Sequence, residues 1–181
     1  MAVKIGLVFG STTGNTHDAA DEIREQFAEY IDECLDIDAT DFETLATFDV
    51  LLVGIPTWDI GELEASWYFA LERGENKDVR FDGLTVAFFG DGDQGGYPEN
   101  FQDAMGILRE LFIGRGASAE VGHWPLDGYE FDESKAVVDG KFVGLPLDCL
   151  NQPEETEERI QSWCTQLKTE LGITELEMRS G

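Results

Sequence analysis

The chain has 181 residues, with 38 Asp or Glu against 12 Lys or Arg and a formal net charge of −26. So few cations disfavour nucleic acid, whose affinity comes from neutralised phosphates, and an anionic membrane surface. With 42% apolar residues the chain can still bury a core, and no apolar run approaches the ~20 residues of a membrane-spanning helix.

Strand-like and helix-like patterns alternate along the chain. Val3 to Phe9 is a short apolar run ending at Gly10. Ala19, Ala20, Ile23, Phe27 and Tyr30 recur at helical spacing, with acids between them. Leu35 to Ile37 predicts a short edge strand, and Val50 to Ile55 a central strand stopped by Pro56. Glu62 to Leu71 has a helical pattern. Leu84 to Phe89 predicts a third central strand, and Asp103 to Phe112 an amphipathic helix closed by Gly114. Ala119 to Val121 predicts the start of another strand. Trp124 to Lys141, rich in Gly, Asp and aromatics, reads as an excursion interrupting that strand before Phe142 to Leu147 resumes it. Glu155 to Leu171 predicts a final helix with Ile160, Trp163, Cys164, Leu167 and Leu171 on one face. One domain is expected over residues 1–173, and residues 174–181 are expected to fray. Cys34, Cys149 and Cys164 are odd in number and widely spaced, which fits buried thiols in a reducing cytosol. The first residues enter a strand directly, without the layout of a signal peptide, so a cytoplasmic protein is expected.

Continuous apolar strands separated by amphipathic helices predict an α/β fold, a parallel sheet covered on both faces. Ligands of such sheets bind beyond the carboxyl ends of the strands. That gathers three loops into one site: Gly10–Thr16, Pro56–Gly61 and Gly90–Tyr97. The first, "GSTTGNT", offers backbone N–H groups, four hydroxyls and an amide at a helix start, the makings of a phosphate cradle. It lacks the lysine and glycine spacing of a Walker A loop and the G-x-G-x-x-G pattern of a dinucleotide site. Neutral donors suit one terminal phosphate that is bound and never transferred. The other two loops carry Trp58 and Tyr97, exposed aromatics placed to sandwich a flat ring.

"GSTTGNT", "GIPTWDIGELE", "FFGDGDQGGYPENF", "GHWPLDGYEFDESKAVVDGKFVGLPLD" and the closing "NQ…T…RI..W" together resemble the long-chain flavodoxins of cyanobacteria and proteobacteria. The resemblance runs from Val3 to Ile173 with the motifs in family order. It implies a flavodoxin-like three-layer sandwich, with five parallel strands in the order 2-1-3-4-5 and the last strand split by the insertion. It implies non-covalent FMN and a low-potential carrier of single electrons that substitutes for ferredoxin. Ser11, Thr12, Thr13, Gly14, Asn15 and Thr16 match the phosphate loop. Pro56, Thr57, Trp58, Asp59, Ile60 and Gly61 match the loop on one flavin face. Gly90, Asp91, Gly92, Asp93, Gln94, Tyr97 and Asn100 match the other, with Tyr97 stacked on the ring, and Asp148 matches an acid near the ribityl chain. The Asp59–Ile60 peptide is expected to turn its carbonyl toward flavin N5–H on one-electron reduction, eased by Gly61. Departures from the family pattern fall at Asp59, at Asp91 and Gly96, and over Arg73 to Val79.

Implied partners are basic-faced redox proteins, such as a ferredoxin– or flavodoxin–NADP reductase or photosystem I, met by a monomer. Asp59, Glu62, Glu64, Asp91, Asp93 and Glu99 form the expected acidic rim. No general base or nucleophile stands out: His17 reads as exposed, His123 as structural, and Ser11 has no G-x-S-x-G setting. The rivals are an FMN-dependent quinone or azo reductase or a ribonucleotide-reductase activator, which need an open pocket over the flavin, and a phosphate-accepting signalling domain, which needs a lysine that does not follow "LTVAFF".

Overall fold

Four apolar strands and one polar edge strand align side by side in the computed structural model, which describes residues 3–173; the tail expected to fray lies outside the described residues. In chain order the elements are β1 (Ile5–Phe9), α1 (Asn15–Phe27), β2 (Glu33–Asp36), α2 (Phe42–Leu45) and β3 (Val50–Gly54). The hairpin β4 (Thr57–Trp58) and β5 (Glu62–Leu63) leads to α3 (Ala65–Glu72), β6 (Thr85–Asp91) and α4 (Asp103–Gly114). The hairpin β7 (Val137–Val138) and β8 (Lys141–Phe142) precedes β9 (Gly144–Leu147) and α5 (Thr156–Glu170). The parallel sheet has the order β2-β1-β3-β6-β9, which is 2-1-3-4-5 when sheet strands alone are counted.

Burial on both faces explains the unbroken apolar strands. Every residue of β1, β3 and β9 is buried. On one face α1 and α5 pack Ala20, Ile23, Phe27, Ile160, Trp163 and Leu167 against Leu7, Leu52 and Phe89. On the other, Phe42, Trp67, Leu108 and Phe112 meet Val8, Leu51, Val53, Val86 and Phe88. The stretch at 73–79 serves this second layer. Asn76 is fully buried, accepts from Phe42 N at 2.9 Å and donates to Ala70 O at 2.8 Å. Arg73 donates to the carbonyls of Asp38 and Thr40 at 2.6 and 3.0 Å.

Three local expectations are corrected. Glu62 and Leu63 lie in the β4–β5 hairpin, pairing with Trp58 and Thr57, and α3 starts only at Ala65, because the Glu64 side chain caps it through Ser66 N at 3.1 Å. Ala119–Val121 is not a strand. Only Ser118 bridges to Thr85, through Ser118 N to Leu84 O and Val86 N to Ser118 O, and the chain then turns at Gly122, with φ 72°. Phe142 to Leu147 is broken at Val143, since Phe142 exchanges both backbone bonds with Trp124 before β9 pairs β6 from Gly144 onward. The sheet edge is thus filled first by Ser118 and then by β9, with the excursion between them. Phe101, Tyr129, Phe131 and Phe142 hold that excursion in one aromatic cluster, with centroids 5.2–5.9 Å apart.

Candidate functional site

Parallel register carries the three loops to one edge. Phe9 pairs with Gly54 and Gly54 with Phe89, so the chain leaves all three strands at the same level. Gly10 N donates to Gly54 O at 3.1 Å and Ile55 N to Phe89 O at 3.0 Å, which carries the ladder one residue into the loops.

The first loop closes on the start of α1. Gly14 is its N-cap at φ 99°, a conformation cheap only for glycine, and no side chain caps the helix. Most helices fill these orphan donors with a Ser, Thr, Asp or Asn oxygen. Here Ser11 Oγ turns back and accepts from Gly14 N at 3.1 Å. Thr16 Oγ1 is buried, in a residue 1% exposed, without a hydrogen-bond partner among the described residues. A buried hydroxyl left unpaired costs free energy, so the first turn can take an acceptor from outside. Thr12 and Asn15 are held by carboxylates: Thr12 Oγ1 donates to Glu64 Oε1 at 2.6 Å, and Asn15 Nδ2 to Asp91 Oδ2 at 2.9 Å. Thr13 is exposed.

Pro56 follows β3, and the β4–β5 hairpin presents the second loop. Its turn closes through Gly61 N to Trp58 O at 3.1 Å. Asp59 takes φ 43° and Gly61 φ 89°, left-handed values that Asp accepts better than most side chains. Ile60 at the tip is 70% exposed. Thr57 Oγ1 accepts from Ala104 N at 3.2 Å and so fixes the hairpin to the start of α4. Thr12 and Trp58 line one groove of about 800 Å³ with Leu63, Tyr68, Phe69 and Ile107. Tyr97 does not line it.

The third loop is tied from within. Gly92 N donates to Leu147 O at 2.9 Å. Asp93 Oδ1 accepts from Gly96 N at 2.7 Å and Asn151 Nδ2 at 2.8 Å, leaving Tyr97 41% exposed. Gln94 is buried; its amide donates to Asp148 Oδ2 at 2.9 Å and accepts from Glu130 N at 2.6 Å, joining the loop to the excursion. Asp148, 1% exposed, also accepts from Gln94 N and Asn151 N. Asn100 turns to Asp103 Oδ2 at 3.1 Å. Gln102, in the left-handed region, ties the carbonyls of Gly90 and Leu147 together through its amide.

Asp91 ends β6 against this network. Burial pushes its carboxyl above the usual carboxylate range; hydrogen bonds from Cys149 N at 2.9 Å and from Asn15 oppose the shift, and Asp148 adds to it. Burial likewise lifts the Cys149 thiol to about 12, with Asp91 reinforcing it. Of the three thiols only Cys164 is fully buried, its value also lifted to about 12. His17 is exposed and stacks on Phe9, and His123 bonds Ala119 O at 2.9 Å.

The sequence missed two groups of side chains. Glu64 was expected on the acidic rim, yet it is 1% exposed. Asn151 enters the sequence reading only as the start of "NQ…T…RI..W" with no role of its own, and Gln102 not at all, because amides that brace loops leave no spacing signal. Among the described residues no helix is long and apolar enough to cross a membrane.

The flavodoxin family model matches residues 7–163. A flavodoxin of a Picosynechococcus strain is 50% identical over 171 residues, 94% of this chain and 99% of that one. Flavodoxin 1 of Escherichia coli K12 is 43% identical over 94% of this chain and 96% of its own. A crystal structure of Fusobacterium nucleatum flavodoxin bound to flavin mononucleotide superposes with a TM-score of 0.85 at 30% identity, covering 93% of this chain and 98% of that one. A three-loop edge on the 2-1-3-4-5 sheet, a split last strand and matches over nearly the whole length agree: the chain belongs to the flavodoxin family.

Proposed function

We propose that this chain shuttles single electrons between redox proteins through non-covalently bound FMN, with residues 1–173 acting as one FMN-binding domain in the cytoplasm. The observation that carries the reading is the first turn of α1, with its glycine N-cap, no side-chain cap and the unpaired buried hydroxyl of Thr16. Free N–H groups and the positive end of the helix dipole suit one phosphate monoester without a lysine. In this reading Ser11–Thr16 hold the phosphate, Pro56–Gly61 and Gly90–Tyr97 with Asn100 flank the ring, and Asp148 braces the third loop near the ribityl chain. The FMN in the Fusobacterium nucleatum structure supports the same ligand here. The bound flavin supplies the one-electron chemistry; the chain's residues bind, orient and shield it. The purified protein is expected to bind one FMN per chain, and riboflavin at least about 100-fold more weakly, since charge-assisted bonds to the phosphate are lost. Fluorescence titration of the apoprotein measures both, and equal affinities would remove the phosphate assignment. Steady NADPH oxidation by the protein alone would favour a reductase instead.

Redox proteins with a basic face are the proposed partners, a ferredoxin– or flavodoxin–NADP reductase or photosystem I among them. Asp59 and Glu62 are exposed beside Trp58 and can steer such a face, with a reach set by a Debye length of ~30 Å at 0.01 M salt and ~8 Å at physiological salt. Glu64 is buried and takes no part in this. Electron transfer to a basic-faced reductase is expected to slow from moderate to high salt. The Asp59→Asn, Glu62→Gln double variant is expected to show a shallower salt dependence, seen by stopped-flow; an unchanged slope would put the docking face elsewhere.

A further inference from the structure

Two carboxylates from different elements grip the phosphate loop, and neither forms an ion pair among the described residues. Glu64, just before α3, accepts from Thr12 Oγ1 and Ser66 N and shares the Ser66 hydroxyl proton with Asp38. Asp91, at the end of β6, has only neutral donors: Asn15 Nδ2, Cys149 N and the Cys149 thiol. The titratable groups that face it are Cys149 and Asp148, from the segment after β9, while α1 presents the neutral Asn15. No cationic side chain pairs with it among the described residues; only neutral hydrogen bonds and the start of α1 offset its charge.

A phosphate monoester carries one to two negative charges near neutral pH, with a second pKa of about 6. Seated at the first turn of α1, it stands beside Asn15, whose amide is committed to the Asp91 carboxylate. The ionised carboxylate repels the phosphate and withholds a donor from it. Burial and Asp148 already favour the neutral carboxyl. We infer that Asp91 sets the affinity of the phosphate loop: the ligand phosphate binds together with a proton from solvent taken up at the Asp91 carboxyl, which releases the Asn15 amide, so phosphate-dependent affinity rises as pH falls.

The sign separates this from the phosphate's own titration. A cradle selective for the dianion would bind more tightly as pH rises through ~6; proton uptake at Asp91 acts the other way. The inference rests on residues 11–16 holding the phosphate, so riboflavin is the control. Calorimetry of apoprotein with FMN, in buffers of different ionisation enthalpy at pH 6 to 8, is expected to show proton uptake, with none for riboflavin. In Asp91→Asn the uptake should vanish and FMN affinity at pH 7.5 should rise about tenfold, the scale of one nearby charge after screening. Because Asp91 belongs to the loop that flanks the ring, the tenfold rise is read as a change in the ratio of FMN to riboflavin affinity. Wild-type FMN binding without proton uptake, uptake that persists in Asp91→Asn, or a variant in which that ratio does not rise each overturns the inference. Should the variant not fold, the wild-type contrast between FMN and riboflavin decides alone. Equal wild-type affinities for the two ligands would instead sink the phosphate loop itself, and this inference with it.

Discussion

Replacing Gly90 by alanine is expected to lower stability by about 3 kcal/mol, the cost of an overpacked site that cannot relax. A Cβ at Gly90 would lie 2.1 Å from Ile55 O, a backbone atom, and 3.2 Å from Gln102 Oε1. Neither neighbour can give. Ile55 N donates to Phe89 O at 3.0 Å, so moving its carbonyl pulls on the β3–β6 junction. Gln102 already spans the carbonyls of Gly90 and Leu147. For a domain of this size the loss corresponds to a Tm lower by ~6–12 °C, and it is a large share of the ~5–15 kcal/mol that holds an ordinary domain together. The strand end that carries the third loop would shift as well, so FMN affinity should fall with stability. Gly74→Ala is the control: nothing lies within 4 Å of its Cβ, and it should change the urea midpoint little or raise it slightly. Equal midpoints for the two variants would mean the Ile55 carbonyl yields without cost.

Asp93→Asn is expected to raise the potential of the second one-electron step by up to ~90 mV while barely moving the first. Asp93 Oδ1 accepts from Gly96 N and Asn151 Nδ2, and an asparagine oxygen can accept from both, so the loop should keep its shape. What changes is charge. The second electron adds negative charge to a site in a chain of net charge −26. A carboxylate on the order of 8 Å from an added charge, at an effective dielectric of ~20, opposes it by about 2 kcal/mol, which converts to ~90 mV for one electron. Salt reduces this, because Asp93 is only part-buried. Redox titration in low and high salt measures both steps. An equal shift of the two would point to altered cofactor binding instead of local repulsion.

Much of the molecule was legible in the sequence because burial writes itself into composition. A strand buried on both faces must be apolar throughout, so Ile5–Phe9, Val50–Gly54 and the core of Thr85–Asp91 announced themselves. A helix packed on one side must repeat at helical spacing, so α1, α4 and α5 did too. Parallel strands in register then brought the three loops to one edge. "GSTTGNT" was legible as the turn into α1, since Gly14 takes φ 99° as its N-cap and no side chain caps the helix; its service to a phosphate belongs to the proposed function.

The tertiary structure alone decided what each acid does. Glu62 and Glu64 are near neighbours in sequence, yet one is exposed on a hairpin and the other is 1% exposed against Thr12. The helical pattern from Glu62 hid a β4–β5 hairpin, since short strands of two residues carry no period of their own. Asp91 read as one more rim charge until β6 extended to it and Asn15, 76 positions away in sequence, came within 2.9 Å. Apolar pattern records which residues leave water and is a property of single elements. The partner of a buried carboxylate is set by how distant elements meet, and a chain read in order holds no signal for that.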